Sequence, residues 1–314
     1  ENVDRQPITN LDILPFPAYD KFQFSEYSLS EIPIVTSRGC PHNCVYCAVH
    51  CIMGYKFRPR SPENVVNEIE HWISKGHTHF QFTDDNFTFD MDRAKRICDL
   101  IIQKKLNIKW NVRNGIRVDK VDKELLEKMK KSGCYFIFFG MESGSQHILK
   151  SIKKGTTIDQ IKNAVALTKE VGLPAGGTFM IGHPDETYKD FEESLSLARS
   201  LELDEVRFYN ILPYPGTELF EWIKLFANNR FIYPPETYLN SITSWNNKPV
   251  FFTPYFTEKE RHKAYNEGYK LYMEVLWKKK SKEMSYLRFW ISETLSRTVI
   301  GDVYRKVINT LNTK

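Results

Sequence analysis

Cys40, Cys44 and Cys47 stand in the run Gly39-Cys40-Pro41-His42-Asn43-Cys44-Val45-Tyr46-Cys47, with the spacing Cys-x3-Cys-x2-Cys and an aromatic residue just before the last thiol. Thiolate is the ordinary protein ligand of an iron–sulfur cluster, and three thiolates on one short loop can hold three corners of a cubic [4Fe–4S] cluster. The fourth iron is then open to a small molecule. Two other readings use the same residues. Cys51 extends the run to Cys-x3-Cys-x2-Cys-x3-Cys, which would ligate a cluster fully and make an electron-transfer or structural centre. His42, His50 and Cys51 also lie close enough in sequence for zinc, although zinc sites usually use two well-separated ligand pairs and the chain has no second Cys-x2-Cys.

The elements that must position such a loop follow from hydrophobic patterning. Apolar, β-branched and aromatic runs recur at Ile32–Thr36, His79–Thr83, Lys109–Val112, Tyr135–Gly140, Gly177–Ile181 and Val206–Leu212. Between them lie helical spacings: Val65, Val66, Ile69, Trp72 and Ile73 behind the cap signal Ser61-Pro62-Glu63; Ile97, Leu100 and Ile101; Leu125, Leu126 and Met129, ended by Gly133. Ile158, Ile161, Val165 and Val171, ended by Gly172, and then Phe191, Leu195, Ala198 and Leu201 complete the series. Strand–helix alternation predicts an α/β fold with a parallel sheet, and six units predict a partial (β/α)6, TIM-like barrel. Barrel chemistry sits at the C-terminal ends of strands, and the cysteine loop follows the first strand.

Polar residues gather at the later strand ends. The second strand ends in Thr83-Asp84-Asp85-Asn86, the fourth in Gly140-Met141-Glu142-Ser143-Gly144-Ser145. Asp85 and Asn86 are equally able to cap a turn, and Ser143 or Ser145 to cap a helix. The fifth strand ends in Ile181-Gly182-His183-Pro184-Asp185-Glu186-Thr187, where glycine lets backbone approach a ligand closely. Its Glu186 and Thr187 also fit a helix start, and a lone loop histidine such as His183 is more often a surface residue. Arg117, after the third strand, faces a ligand or closes an ion pair. The sixth strand leads into Tyr209-Asn210-Ile211-Leu212-Pro213-Tyr214-Pro215-Gly216-Thr217.

The cysteine spacing, its aromatic residue and the order of these strand-end runs, from about Pro33 to Thr217, resemble the radical S-adenosylmethionine (radical SAM) superfamily. The "Leu-Pro-x-Pro" run Leu14-Pro15-Phe16-Pro17, the Thr83-Asp84-Asp85-Asn86 end and the Pro213–Thr217 turn are similar to its cobalamin-linked class of methyltransferases and anaerobic cyclases. The resemblance implies a [4Fe–4S] cluster on Cys40, Cys44 and Cys47, with SAM on the open iron. It implies Tyr46 beside the adenine, and SAM contacts from Asp84, Glu142, Ser143, Gly182 and the Asn210 strand. It further implies a reducing donor such as flavodoxin or ferredoxin, and cobalamin where an upstream domain supplies it. The expected activity is reductive cleavage of SAM to a 5′-deoxyadenosyl radical for hydrogen abstraction, in methyl transfer or ring formation on a small-molecule or lipid-like substrate.

Composition bounds the rest. At 41 % hydrophobic and 26 % charged residues over 314 positions, the chain fits one large domain with an extension. A net charge of +5 without a recognition motif argues against nucleic acid, and Lys278–Lys280 reads as a solvated helix face. Six clustered or scattered cysteines suit a reducing, cytoplasmic compartment better than a disulfide framework. No apolar stretch reaches the roughly 20 residues of a membrane span. Residues 1–30 read as a linker or the remnant of an upstream domain, residues 31–227 as the barrel, and residues 228–314 as an extension able to cover substrate. Helices are expected there over Thr257–Lys280 and Met284–Leu311. Trp245, Phe251, Phe252 and Tyr255 either line a pocket or form the extension's own core.

Overall fold

The computed structural model describes residues 6–22, 31–225, 230–240 and 248–281. Six strands form one parallel sheet: β1 (Ile32–Ile34), β2 (His79–Phe82), β3 (Lys109–Ile116), β4 (Cys134–Glu142), β5 (Ala175–Ile181) and β6 (Glu205–Asn210), neighbours in that order. Register runs through Ile34↔Phe82, Phe80↔Trp110, Ile116↔Phe139, Gly140↔Thr178 and Ile181↔Asn210. Among the described residues β1 and β6 do not pair with each other, so the barrel is open on one side, as the six-unit alternation predicts.

The described helices are α1 (Val49–Met53), α2 (Pro62–Ser74), α3 (Met91–Gln103), α4 (Lys123–Lys131), α5 (Gln146–Ser151), α6 (Ile158–Val171), α7 (Tyr188–Ser200), α8 (Glu218–Leu225), α9 (Pro235–Leu239) and α10 (Glu258–Lys280), of which α2, α3, α4, α6, α7 and α10 form the layer over the sheet. Their starts are chemically marked. The Ser61 hydroxyl accepts from Asn64 N ahead of α2, and Thr157, Thr187 and Thr257 each close a capping box. Gly172 ends α6 in the left-handed conformation at φ +73°. No described helix is long and apolar enough to cross a membrane.

Side-chain alternation along the strands sorts the sheet into two faces. One side sends Phe80, Phe82, Trp110, Ile137, Phe139, Phe179 and Phe208 into the core under the helices. The other side, which holds Arg113, Phe138, Thr178 and Arg207, faces the lumen. Gly268 of α10 has no Cβ because the Phe208 ring would lie 2.5 Å from one, so α10 seats directly on β6. A smaller core of Ile211, Leu212, Leu219, Ile223, Tyr238, Val250 and Phe251 joins the segment after β6 to the extension. Phe251 is therefore core rather than pocket lining. Trp245 and the expected Met284–Leu311 helix lie outside the described residues.

Three differences from the pattern-based expectation have physical causes. Strand β4 continues past Gly140 to Glu142 through an irregularity between those two residues, which periodicity does not signal. The short helices α1, α5 and α9 have at most six residues, too few to display a hydrophobic period. Residues 6–22, part of the segment expected to be a linker or domain remnant, make contacts that composition does not signal: the Ser61 amide donates to Asp12 at 2.9 Å, Arg58 donates to the Ile8 carbonyl at 2.9 Å, and the Tyr19 ring packs 5.5 Å from that of Trp72.

Candidate functional site

At the C-terminal ends of the strands a cleft of about 440 Å³ opens, walled by Cys40, Cys44, Tyr46, Cys47, Glu142 and Lys154, with Arg117, Thr178, Met180 and Tyr209 among its other lining residues. The loop that brings the thiols there is tied down at several points. Both Asp84 oxygens are occupied by the end of β1: the Thr36 amide and hydroxyl donate at 2.8 Å each, the Ser37 hydroxyl at 2.9 Å, and the Ser37 amide donates as well. Asp85 accepts from the Gly39 amide at 2.8 Å. Arg93 donates to the Thr36 carbonyl at 2.6 Å. Farther on, the Val45 amide donates to Ile152 and the Val45 carbonyl accepts from Leu219. Gly39 has φ +83°, and a Cβ there would lie 2.3 Å from the Lys56 carbonyl oxygen, so only glycine lets the chain turn into the cysteines.

The three thiols are free, and all are partly buried. Burial pushes the Cys47 thiol up to about 11 and raises that of Cys44; positive metal is what would hold them as thiolates. Among the described residues, no three His, Cys, Asp or Glu side chains converge on one point as a single zinc ion requires. Cys51 is exposed and lines a separate cavity against Gly216, a cavity that also reaches Cys44 and Cys47 but not Cys40.

Opposite the thiols, Glu142 bends the chain. It is a non-glycine residue at φ +68°, a conformation that costs about 1–3 kcal/mol and clusters at functional sites. Its carboxylate accepts from Lys154 Nζ at 2.8 Å, with both side chains 7 % exposed. Gly140 makes room for the pair, since a Cβ on it would lie 2.7 Å from Glu142 Oε1 and 3.2 Å from Lys154 Nζ. The Glu142 carbonyl faces His183 Nε2 at 3.3 Å. His183 is fully buried, contrary to the surface position expected for it. Burial lowers its imidazole to about 4, so it is neutral. The Tyr46 ring lies 5.9 Å from the imidazole, linking the cysteine loop to this wall.

The other expected SAM residues sort differently. Asp84 lines the cleft, as expected for a ligand contact, and also builds the loop through its bonds to Thr36 and Ser37. The Ser143 hydroxyl accepts from the Ser145 amide at 3.1 Å and sits 3.3 Å from that of Ser194, away from the cleft lining. Gly182, at φ +100°, receives the Arg261 guanidinium of α10, which lies 2.1 Å from where a Cβ would be. Asn210 is buried at the end of β6, and neither atom of its amide has a hydrogen-bond partner among the described residues. Arg117 does both things foreseen, lining the cleft and pairing with Asp119 at 2.8 Å. Lys154 was not foreseen: within Lys153-Lys154-Gly155 it reads as a solvated lysine.

The residues fit a cluster and SAM. Three thiols are the donor set, the Asn86 amide approaches Cys40 Sγ at 3.7 Å, and orphaned buried polar atoms remain on Asn86, His183 and Asn210 at the strand ends. A carboxylate paired with Lys154, with Arg117 on the same cleft lining, matches a zwitterion carrying an ammonium and a carboxylate.

Comparison with known proteins agrees. The Radical SAM superfamily profile matches residues 34–198, more than half of the chain. An uncharacterized methyltransferase of Pyrococcus horikoshii is 35 % identical over 84 % of this chain and 57 % of its own length. The anaerobic magnesium-protoporphyrin IX monomethyl ester cyclase of Rubrivivax gelatinosus is 26 % identical over 82 % of this chain and 50 % of its own. The chain thus spans about half the length of these curated relatives. The same fold occurs in the radical S-adenosylmethionine methyltransferase TsrM of Kitasatospora setae, solved with cobalamin and a [4Fe–4S] cluster, at TM-score 0.65 and 17 % identity over 77 % of this chain and 52 % of that one. With its three-thiol loop at the mouth of an open six-stranded barrel, the chain belongs to the radical SAM superfamily.

Proposed function

We propose that this chain forms the radical-generating part of an enzyme that reductively cleaves SAM and uses the resulting 5′-deoxyadenosyl radical to abstract hydrogen. The observation that carries the reading is the opening of Cys40, Cys44 and Cys47 into one cleft opposite the Glu142–Lys154 pair. Cys40, Cys44 and Cys47 would hold a [4Fe–4S] cluster, which would supply the electron for reductive cleavage of SAM. The chain's own work is to bind, orient and exclude water. Glu142 takes the ammonium or a ribose hydroxyl, Lys154 and Arg117 neutralise the carboxylate, and Tyr46 flanks the adenine. The unpartnered Asn210 amide fits an adenine edge reached from the end of β6, and Gly182 sets the loop beside it.

Methyltransferase and cyclase relatives support methyl transfer or ring formation on a small-molecule or lipid-like substrate, with cobalamin held outside the described residues. Flavodoxin or ferredoxin fits as donor, and free, clustered thiols favour a reducing, cytoplasmic setting. The alternative of a fully ligated, electron-transfer cluster is weakened by Cys51, whose thiol lies in a different cavity from Cys40. Anaerobic reconstitution with iron and sulfide, then dithionite and SAM, tests the proposal. Formation of 5′-deoxyadenosine is expected; an intact, reducible cluster that yields none would overturn it.

A further inference from the structure

Below the SAM cleft, the lumen face of the sheet carries a charge arrangement that SAM does not account for. Glu205 at the start of β6 serves two guanidiniums: Arg113 Nη1 donates to it at 3.0 Å, and Arg207 donates through Nε at 2.5 Å and also pairs through Nη2. The shared carboxylate is 14 % exposed, whereas Arg113 and Arg207 are 36 % and 43 % exposed. The positive ends therefore face outward. Each guanidinium lies on an aromatic face, Arg113 at 4.3 Å from Phe136 and Arg207 at 5.7 Å from Phe138, and Lys279 of α10 adds a third cation at 5.8 Å from Phe136. The other carboxylate near these strands, Glu31, is taken by Asn111 and Tyr135.

Arg207 has five N–H donors. Glu205 and the Tyr209 hydroxyl, which accepts at 3.0 Å, engage three of them. Arg207 also lines a partly open cavity of about 250 Å³ together with Phe208, Tyr209, Tyr265, Tyr269 and Tyr272. That volume suits a head group rather than a whole cofactor. Tyr209 lines both this cavity and the SAM cleft. Two residues of strand separate Arg207 from Tyr209, roughly 6–7 Å.

We propose that Arg207 and its tyrosine-lined cavity form the anchor for an anionic head group, carboxylate or phosphate, on the molecule whose C–H bond is presented in the cleft. A C–H bond offers no handle of its own, so binding energy must come from a remote part of the substrate. Arginine is suited to that part, because its fixed fork matches planar and tetrahedral oxyanions. The role of this molecule as substrate rests on the radical SAM reading above; the anion site itself does not.

Calorimetric titration of the full chain, anaerobically reconstituted and with excess SAM, would use phenyl phosphate and benzoate as probes and benzyl alcohol as the neutral control. Saturable binding of the anions and none of the alcohol is expected. Arg207→Gln should weaken anion binding about tenfold or more, the loss expected for one charge-assisted contact. Tyr269→Trp, which fills the cavity without altering charge, should do the same and covers the case in which the arginine variant fails to fold. Equal affinity in wild type and both variants, or an alcohol bound as tightly as the anions, overturns the proposal. Assaying 5′-deoxyadenosine in the same preparations separates the two ideas. Arg207-dependent binding without SAM cleavage upholds the anion site and removes the proposed function, and cleavage with Arg207-indifferent binding does the reverse.

Discussion

Breaking the Glu142–Lys154 pair should produce two separable losses. At 2.8 Å the Coulomb attraction amounts to about 6 kcal/mol for an effective dielectric of about 20, most of it offset by the cost of burying both charges. Removing one partner leaves the other buried and uncompensated, which typically costs about 3–5 kcal/mol. Lys154→Met should fall in that range. Glu142→Gln keeps an acceptor oxygen beside Lys154, so about 1–3 kcal/mol is expected, the scale of a poorly satisfied buried group. The double variant should cost less than the sum of the singles by about 1–3 kcal/mol, because it leaves no orphaned charge. Urea unfolding of the metal-free proteins measures these values. In reconstituted protein, Glu142→Gln should retain its iron yet bind SAM about tenfold to hundredfold more weakly, the value of one hydrogen bond to a charged group. Strictly additive unfolding energies would show that the two groups do not act as a pair. Unchanged SAM affinity by calorimetry would make Glu142 purely structural.

Alanine at Cys40, Cys44 or Cys47 should abolish the brown cluster absorbance or SAM cleavage, whereas Cys51→Ala should preserve both; loss of the cluster in Cys51→Ala alone would revive the four-ligand reading. Gly39→Ala should keep its far-UV circular dichroism but fail to take up iron, since the left-handed backbone alone costs about 1–2 kcal/mol and the new Cβ meets a backbone carbonyl; normal iron loading would refute this. Asp84→Ala removes every acceptor that fixes Thr36 and Ser37 and should lower iron retention during gel filtration without changing SAM affinity per cluster, so a selective loss of SAM binding would return Asp84 to the ligand-contacting group.

Much of this architecture was legible in the sequence, for reasons visible in particular residues. Six apolar runs separated by helical spacings leave few arrangements other than a parallel, helix-covered sheet, and three cysteines within eight residues cannot avoid one another. The strand ends were harder to read. Asp84 and Glu142 carry the same functional group at equivalent ends of strands and line the same cleft, yet one takes up amides and hydroxyls of Thr36 and Ser37 and the other pairs with Lys154. Nothing local distinguishes them, because the partners of Asp84 lie 47 and 48 residues away. Lys154 and His183 were misjudged in the same way, their burial being set by β4 and the cysteine loop rather than by adjacent sequence. The positive φ of Glu142 is likewise a product of the irregular β4–β5 pairing.

The seating of Arg261 against Gly182 bears on the order in which the mouth is completed during synthesis. The cysteine loop has all its backbone ties once Leu219 has donated to Val45. The loop after β5 is tied by Glu186, which accepts from the Gly182 and His183 amides, and is then covered by α10, whose Arg261, buried to 1 % exposure, fills the space beside Gly182, donates to the Phe256 carbonyl at 3.1 Å and lies over the Phe251 and Phe256 rings at 4.3 and 5.2 Å. A chain emerging from the ribosome therefore completes the ties of its thiol loop some forty residues before Arg261 can cover the loop after β5. During that interval the loop after β5 lacks the guanidinium that α10 later seats against it.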